Sequence, residues 1–168
     1  MKLGDGVEAA IHCTTTAAGL PPGAVLPASA LAEFHGVSAS YLVKHLKALV
    51  ASGVLASVPG PAGGYRLGRK AEEITLLDIV LAVEGPEPAF RCGEIRQRGP
   101  CVPDASAYPA PCGINAAMLR AERAYRAALA EVRVSDLVTE FLETSDPRVV
   151  RRGVAFVKAH QRGQPKKG

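Results

Sequence analysis

The sequence predicts a mainly α-helical protein, a winged helix-turn-helix domain followed by a long C-terminal dimerisation helix. Three observations predict it. Two short apolar helices meet at a His-Gly break in LAEFHGVSASYLVKHLKAL. An apolar run then folds back through a Pro-Gly-Pro-Ala-Gly-Gly loop. Finally, one long segment after the cysteine-bearing region carries a single apolar stripe at helical spacing.

The first helix is expected over Val7–Ala18, ended near Gly19 and Pro21-Pro22. Glu8 and His12 are four residues apart on it, so they share one face within about 6 Å, and Cys13 follows directly. Such a pair can present two metal ligands on one rigid element. Taken alone, it reads more simply as a partly exposed i,i+4 pair worth a few tenths of a kcal/mol.

Leu26 to Tyr65 forms the DNA-docking unit. Leu31, Ala32, Phe34 and Val37 give a short helix, and His35-Gly36 breaks it where a tight turn needs a permissive backbone. Ser38 is an N-cap, and Leu42, Val43, Leu46, Leu49 and Val50 recur at helical spacing. Ser40, Tyr41, Lys44, His45 and Lys47 then share the remaining surface. Hydroxyls and cations at the front of a second helix suit phosphates and base edges, which makes Ser38, Ser40, Tyr41, Lys44 and Lys47 candidate DNA contacts. Val54, Leu55 and Val58, the glycine-rich loop, and Tyr65, Arg66 and Leu67 read as a hairpin wing. Its Gly63, Gly64, Tyr65 and Arg66 are the candidates for approach to a groove. The plainer alternative is a small helical subdomain with a solvated lysine face.

Ile74 to Gly85 reads as an amphipathic helix capped by Thr75 and placed to brace the wing. Pro86 to Pro111 is a proline- and glycine-rich loop, and Cys92, Cys101 and Cys112 occur in or just after it as C-x8-C-x10-C. That spacing lacks the paired C-x2-C knuckles of zinc fingers and suits an iron-sulfur cluster with mixed ligands, or else three free thiols. Ile114 to Val134 is the longest helix, and its stripe of Ile114, Met118, Ala121, Tyr125, Ala128 or Leu129, and Val132 asks for a partner helix. A short helix over Ser135–Glu143 follows, then a basic tail from Pro147 whose QRGQPKKG end is expected to be disordered. The expected organisation is a DNA-binding domain over 1–85, a cluster loop over 86–113, a dimerisation helix and short helix over 114–143, and a basic extension over 144–168.

Composition narrows the function. The chain has 168 residues and a net charge of +4, enough for one core with a mild preference for polyanions. No apolar run reaches the roughly 20 residues that span a bilayer and no signal peptide opens the chain, so a cytoplasmic, membrane-free location is expected. There the four cysteines point to metal or redox chemistry rather than a disulfide framework. With no phosphate-binding glycine loop and no nucleophile elbow, an enzyme is not expected.

The stretches MKLGDGVEAAIHC, VSASYLVKHLKALVASGVLASV, GPAGGYRLGR, EITLLDIVLAVEG and CGINAAM, with the cysteine loop, resemble in order the IscR, NsrR and RsrR family of bacterial iron-sulfur winged-helix regulators. The resemblance covers roughly residues 1–143 and is closest to the RsrR-like branch. It implies a homodimer with crossed long helices, recognition helices in major grooves of an operator, and wings near minor grooves. It also implies a 2Fe-2S cluster held by Cys92 and Cys112 with Glu8 and His12 supplied by the other protomer. Cys101 is then surplus, or a third ligand of a 4Fe-4S alternative with Glu8, while Cys13 belongs to the core. The chain departs from the family at the wing, where Pro59 stands in place of an arginine before the tip, leaving Arg66 or Arg69 to supply the cation. The function expected is redox or nitric oxide sensing that alters operator affinity. Two other classes remain open: a metal-free thiol sensor using Cys92, Cys101 and Cys112, and an iron-sulfur carrier that does not use Lys44, Lys47 or the wing.

Overall fold

The structure, a computed structural model, describes residues 3–163. Its helices are α1 (Asp5–Ala18), α2 (Ala28–His35), α3 (Ala39–Ala51), α4 (Leu76–Glu84), α5 (Gly113–Glu131), α6 (Val134–Thr144) and α7 (Pro147–His160). A single antiparallel hairpin pairs β1 (Leu55–Val58) with β2 (Gly64–Leu67), Leu55 opposite Leu67 and Val58 opposite Gly64. The mainly helical winged fold expected from the sequence is the fold observed.

The core forms where the apolar faces of α1, α2, α3, α4 and α6 meet. Ala10, Cys13, Leu31, Leu42, Leu46, Leu49, Ile79 and Val134 are buried there. Because α1 carries small residues on its inner face, its neighbours approach closely, and it packs against α3, α4, α6 and β2. Thr14 sits in this core with its hydroxyl donating to the Ala10 carbonyl at 2.8 Å, so no bonding capacity is stranded.

Local signals act as their chemistry dictates. Gly36 ends α2 at φ 66°, the left-handed conformation in which a Cβ is costly, and Val37 N–H closes the turn onto the Ala32 carbonyl at 3.0 Å. The Ser38 hydroxyl accepts from Tyr41 N–H at 3.2 Å to cap α3. Thr75 and Asp78 form a reciprocal capping box at the start of α4.

Two expectations need correction. The wing is not braced chiefly by α4: β2 lies against α1 and β1 against α3, and α4 reaches the segment after the wing through one ion pair, Arg69 to Asp78 at 3.4 Å. The basic tail from Pro147, for which no regular element was expected, forms helix α7, started by Asp146 as N-cap and Pro147 in the first turn. Its Phe156 and Val157 pack on the core, and Arg162 pairs backbone to backbone with Val25. The apolar positions Val150, Phe156 and Val157 were visible, but a run crowded with arginine hid their helical spacing. Of the end expected to be disordered, residues 164–168, including Lys166 and Lys167, lie outside the described residues.

Candidate functional site

The irregular segment between α4 and α5 is held in place from α5. Glu122 and Arg126 pair at 2.6 Å, and Arg126 donates to the carbonyls of Pro86 and Glu87, both at 3.0 Å. The free carboxylate oxygen of Glu122 accepts from Ala89 N–H at 3.0 Å. Further along, Arg96 donates to the Ala110 carbonyl at 2.8 Å and lies over the Tyr108 ring, whose hydroxyl donates back to the Arg96 carbonyl at 3.2 Å. A segment without regular structure is thereby closed into a loop.

That closure brings two of the three loop thiols together. Cys112 is the N-cap of α5 and only 9 % exposed. One ligand atom each from Cys92, Glu94 and Cys112 lies within 4.8 Å of the others. The Cys92 thiol donates to a Glu94 oxygen at 3.8 Å, and the other oxygen accepts from Arg96 Nε at 2.8 Å and from Gln97 at 3.1 Å. The Arg96 hydrogen bond is the main reason the Glu94 carboxyl titrates below the usual carboxylate range. At Cys112 the Asn115 N–H, joined by the Ile114 N–H of the same helix start, favours thiolate and lowers the thiol. Glu94 is the only non-glycine residue at positive φ among the described residues, at 46°. The sequence reading missed it; its place two residues after Cys92 in an irregular loop was the available signal.

The remaining candidates fall elsewhere. Cys101 is exposed and outside this group, and Cys13 is buried in the core, where burial pushes its thiol up to about 12. Glu8 and His12 both lie exposed on α1, one turn apart, lining a shallow hollow with Leu3, Gly4 and Ile11. Within one chain they are not part of the Cys92–Glu94–Cys112 group. The His12 ring stands 5.5 Å from the His35 ring, centre to centre. Burial, with the neighbouring His12 second, lowers His35 below the ordinary histidine range.

On the docking unit, Ser40, Tyr41, Lys44 and Lys47 are exposed on α3, and Ser38 caps it. His45 does not share that surface: it is 8 % exposed, packs against Gly6 of α1 and edge-on to Tyr41, and its Nε2 is buried without a hydrogen-bond partner among the described residues. In the wing, Arg66 is exposed, whereas Arg69 is occupied by the Glu73 carbonyl and Asp78. Gly63 and Gly64 have a local reason to be glycine. A Cβ on Gly63 would meet the Val58 carbonyl, and one on Gly64 would meet the Leu26 carbonyl, where Tyr65 and Leu26 exchange backbone hydrogen bonds at 2.7 and 2.9 Å.

A capped second helix with exposed cations, a hairpin wing beside it and a thiol-bearing loop at the base of a long helix define a winged helix-turn-helix regulator. The chain belongs to the Rrf2 family of iron-dependent transcriptional regulators, whose pattern residues 3–140 match. YffB of Lactococcus lactis, whose name places it among HTH-type transcriptional regulators, is 31 % identical over 140 residues, covering 83 % of this chain and 88 % of that one. The regulator IscR of Photorhabdus laumondii is 39 % identical over 67 residues, 40 % of this chain and 41 % of IscR. Among solved structures, CymR, the global cysteine regulator of B. subtilis, shares the fold at TM-score 0.63 and 21 % identity over 83 % of this chain and 97 % of CymR. IscR of T. potens does so at TM-score 0.61 and 16 % identity over 89 % of this chain and 96 % of that one. Transcriptional regulation, and not catalysis, is what these relatives have in common, and none of the described helices is long and apolar enough to cross a membrane.

Proposed function

We propose that this regulator binds operator DNA as a homodimer and that an iron-sulfur cluster at Cys92 and Cys112 sets its affinity. The convergence of those two thiols beside Glu94 at the start of α5 carries the reading. Two soft thiolate donors held by a closed loop fit a cluster's ligand chemistry. The set within one chain is incomplete, and Glu8 and His12, exposed on α1, are free to supply the missing ligands to a second protomer. A 2Fe-2S centre is preferred, with Cys92, Cys112, Glu8 and His12 filling its four ligand positions and Glu94, engaged by Arg96 and Gln97, staying beside the thiols; a 4Fe-4S centre recruiting Cys101 is the alternative. When bound, the cluster would supply a one-electron centre sensitive to oxidants and nitric oxide.

The chain's own residues would turn that state into DNA affinity. Glu8 and His12 ride on α1, and α1 packs on α3 through the Gly6–His45 contact. Displacing α1 therefore displaces the helix that presents Ser40, Tyr41, Lys44 and Lys47 to a major groove, with Ser38 at its head and Tyr65 and Arg66 in the wing beside it. A change of a few kcal/mol between two arrangements is enough to switch occupancy. Dimerisation would use α5, none of whose residues is buried: Ile114 is 68 % and Met118 43 % exposed.

Protein purified without oxygen should show visible absorption that dithionite bleaches reversibly, with about two iron and two sulfide per chain for a 2Fe-2S centre. Replacing His12 by Ala should change that spectrum while leaving a folded dimer. Colourless protein that stays iron-free after reconstitution, yet is dimeric and binds DNA, would sink the cluster reading. It would then favour a second reading, a thiol sensor. The proximity of Cys92 to Cys112 and the lowered Cys112 thiol support that reading, with Cys101 as a further exposed thiol. The observable there is a Cys92–Cys112 disulfide that forms on mild oxidation and changes DNA affinity in metal-free protein.

A further inference from the structure

Helix α7 lies beyond the 3–140 stretch that matches the family, yet it is fastened to the DNA-reading domain at three points. Phe156 packs on Phe34 of α2 with ring centres 5.1 Å apart and stacks on His160 at 4.0 Å. Gly153 lies beside the Phe34 ring, close enough that an added Cβ would be in ordinary contact with it at 3.5 Å. At the helix end, Arg162 exchanges two backbone hydrogen bonds with Val25, both 2.9 Å, and its guanidinium donates to the Pro61 carbonyl in the wing tip at 2.7 Å. Val25 is continuous with Leu26, which bridges to Tyr65 of β2, so the C-terminal segment lies along the wing's own backbone network.

The opposite side of α7 is cationic. Arg151, Arg152 and Lys158 are exposed, and none has a carboxylate within ion-pair distance among the described residues. Arg148 differs, being paired with Asp146 at 2.7 Å. No aspartate or glutamate occurs after Asp146 in the whole chain. A merely solvated helix face ordinarily mixes both signs of charge. Here a one-sign face is docked between the first helix of the helix-turn-helix, which in such units crosses the phosphate backbone, and the wing tip.

We propose that α7 is an added DNA-backbone clamp, in which Arg151, Arg152 and Lys158 bind phosphates flanking the half-site and Arg162 fixes the wing tip. The ligand is duplex phosphate, recognised by charge without base reading. This rests on the DNA-binding reading above and extends its interface beyond α3 and the wing.

Because phosphate contacts do not depend on sequence, an arbitrary 40-base-pair duplex is a sufficient probe. The test is fluorescence anisotropy of that duplex with the full chain across a salt series, comparing the unaltered protein with the triple variant Arg151→Gln, Arg152→Gln, Lys158→Gln. Each lost phosphate contact should flatten the log affinity against log salt plot by about 0.9, equivalent to up to about eightfold weaker binding at 0.1 M salt. Phe156→Ala, which removes the anchor but no charge, should weaken binding in the same direction. The triple variant alters only exposed side chains, so its melting temperature should be unchanged and folding does not confound it. Equal affinity and equal slope in the triple variant would overturn the clamp while leaving the DNA-binding reading intact. If the unaltered protein fails to bind duplex at low salt, both fall; if Lys44→Ala with Lys47→Ala weakens binding while the α7 triple does not, only the clamp falls.

Discussion

The contact between Gly6 and His45 shows how much one missing side chain decides. Helix propensity alone says that alanine should improve α1 at Gly6 by about 0.5–1 kcal/mol. A Cβ there would penetrate the buried His45 ring, and overpacking of this kind costs about 1–3 kcal/mol. Gly6→Ala should therefore lower the urea midpoint and weaken DNA binding, and His45→Ala should largely relieve the defect in a double-mutant cycle. A Gly6→Ala protein more stable than the parent would refute this. Cys13 provides a pH signature at the same scale. Its folded thiol is raised from 9.0 to about 12 by burial, so the unfolded chain releases the proton first as pH rises. The stability it contributes is complete below pH 9.0 and is lost between there and about pH 12. Urea midpoints at pH 8 and pH 10 should diverge less in Cys13→Ala than in the parent, and native Cys13 should resist alkylation at pH 9 until the protein unfolds.

For whole elements the informative case is the loop between α4 and α5, which has two short 3-10 turns and little apolar content, yet a defined path. Its path is imposed from outside, by Glu122 and Arg126 of α5 reaching back to Pro86, Glu87 and Ala89. Arg126→Leu removes the donor to two exposed carbonyls, which water can then solvate, and should cost about 1 kcal/mol locally. The expected outcome is faster proteolysis between residues 86 and 113 with unchanged helix content by circular dichroism. Equal proteolysis rates would mean that the loop is ordered by its own Arg96 contacts. On the cluster reading proposed above, the same variant should also lose reconstituted iron sooner, because Cys92 would be held less firmly beside Cys112.

At the level of the whole molecule, α5 meets the rest of its own chain chiefly at α4 and leaves Ile114 and Met118 open to solvent. The homodimer proposed above would use that apolar stripe as its two-fold seam. Ile114→Glu with Met118→Glu should convert a dimer into a monomer by sedimentation, with the melting temperature of the monomer's own core little changed. If Glu8 and His12 are supplied across the interface, the same variant should also fail to retain iron. A monomer that still holds a full complement of cluster would separate dimerisation from ligand supply.

Taken alone, the sequence determined the features that local chemistry dictates. The Gly36 turn, the Ser38 and Thr75 caps and the periodic helices up to α6 follow from backbone conformation, capping and hydrophobic spacing within a few residues. It also singled out Cys92 and Cys112, which the folded loop brings together. Contacts between distant segments only the tertiary structure decided: Glu94 beside both thiols, His45 turned inward against Gly6, Arg69 spent on Asp78, and a basic tail folded as α7 against Phe34 and the wing. The physical reason is that each depends on which remote surface arrives opposite a given residue. A cation next to a carboxylate, or a phenylalanine next to another, leaves no periodic trace along the chain.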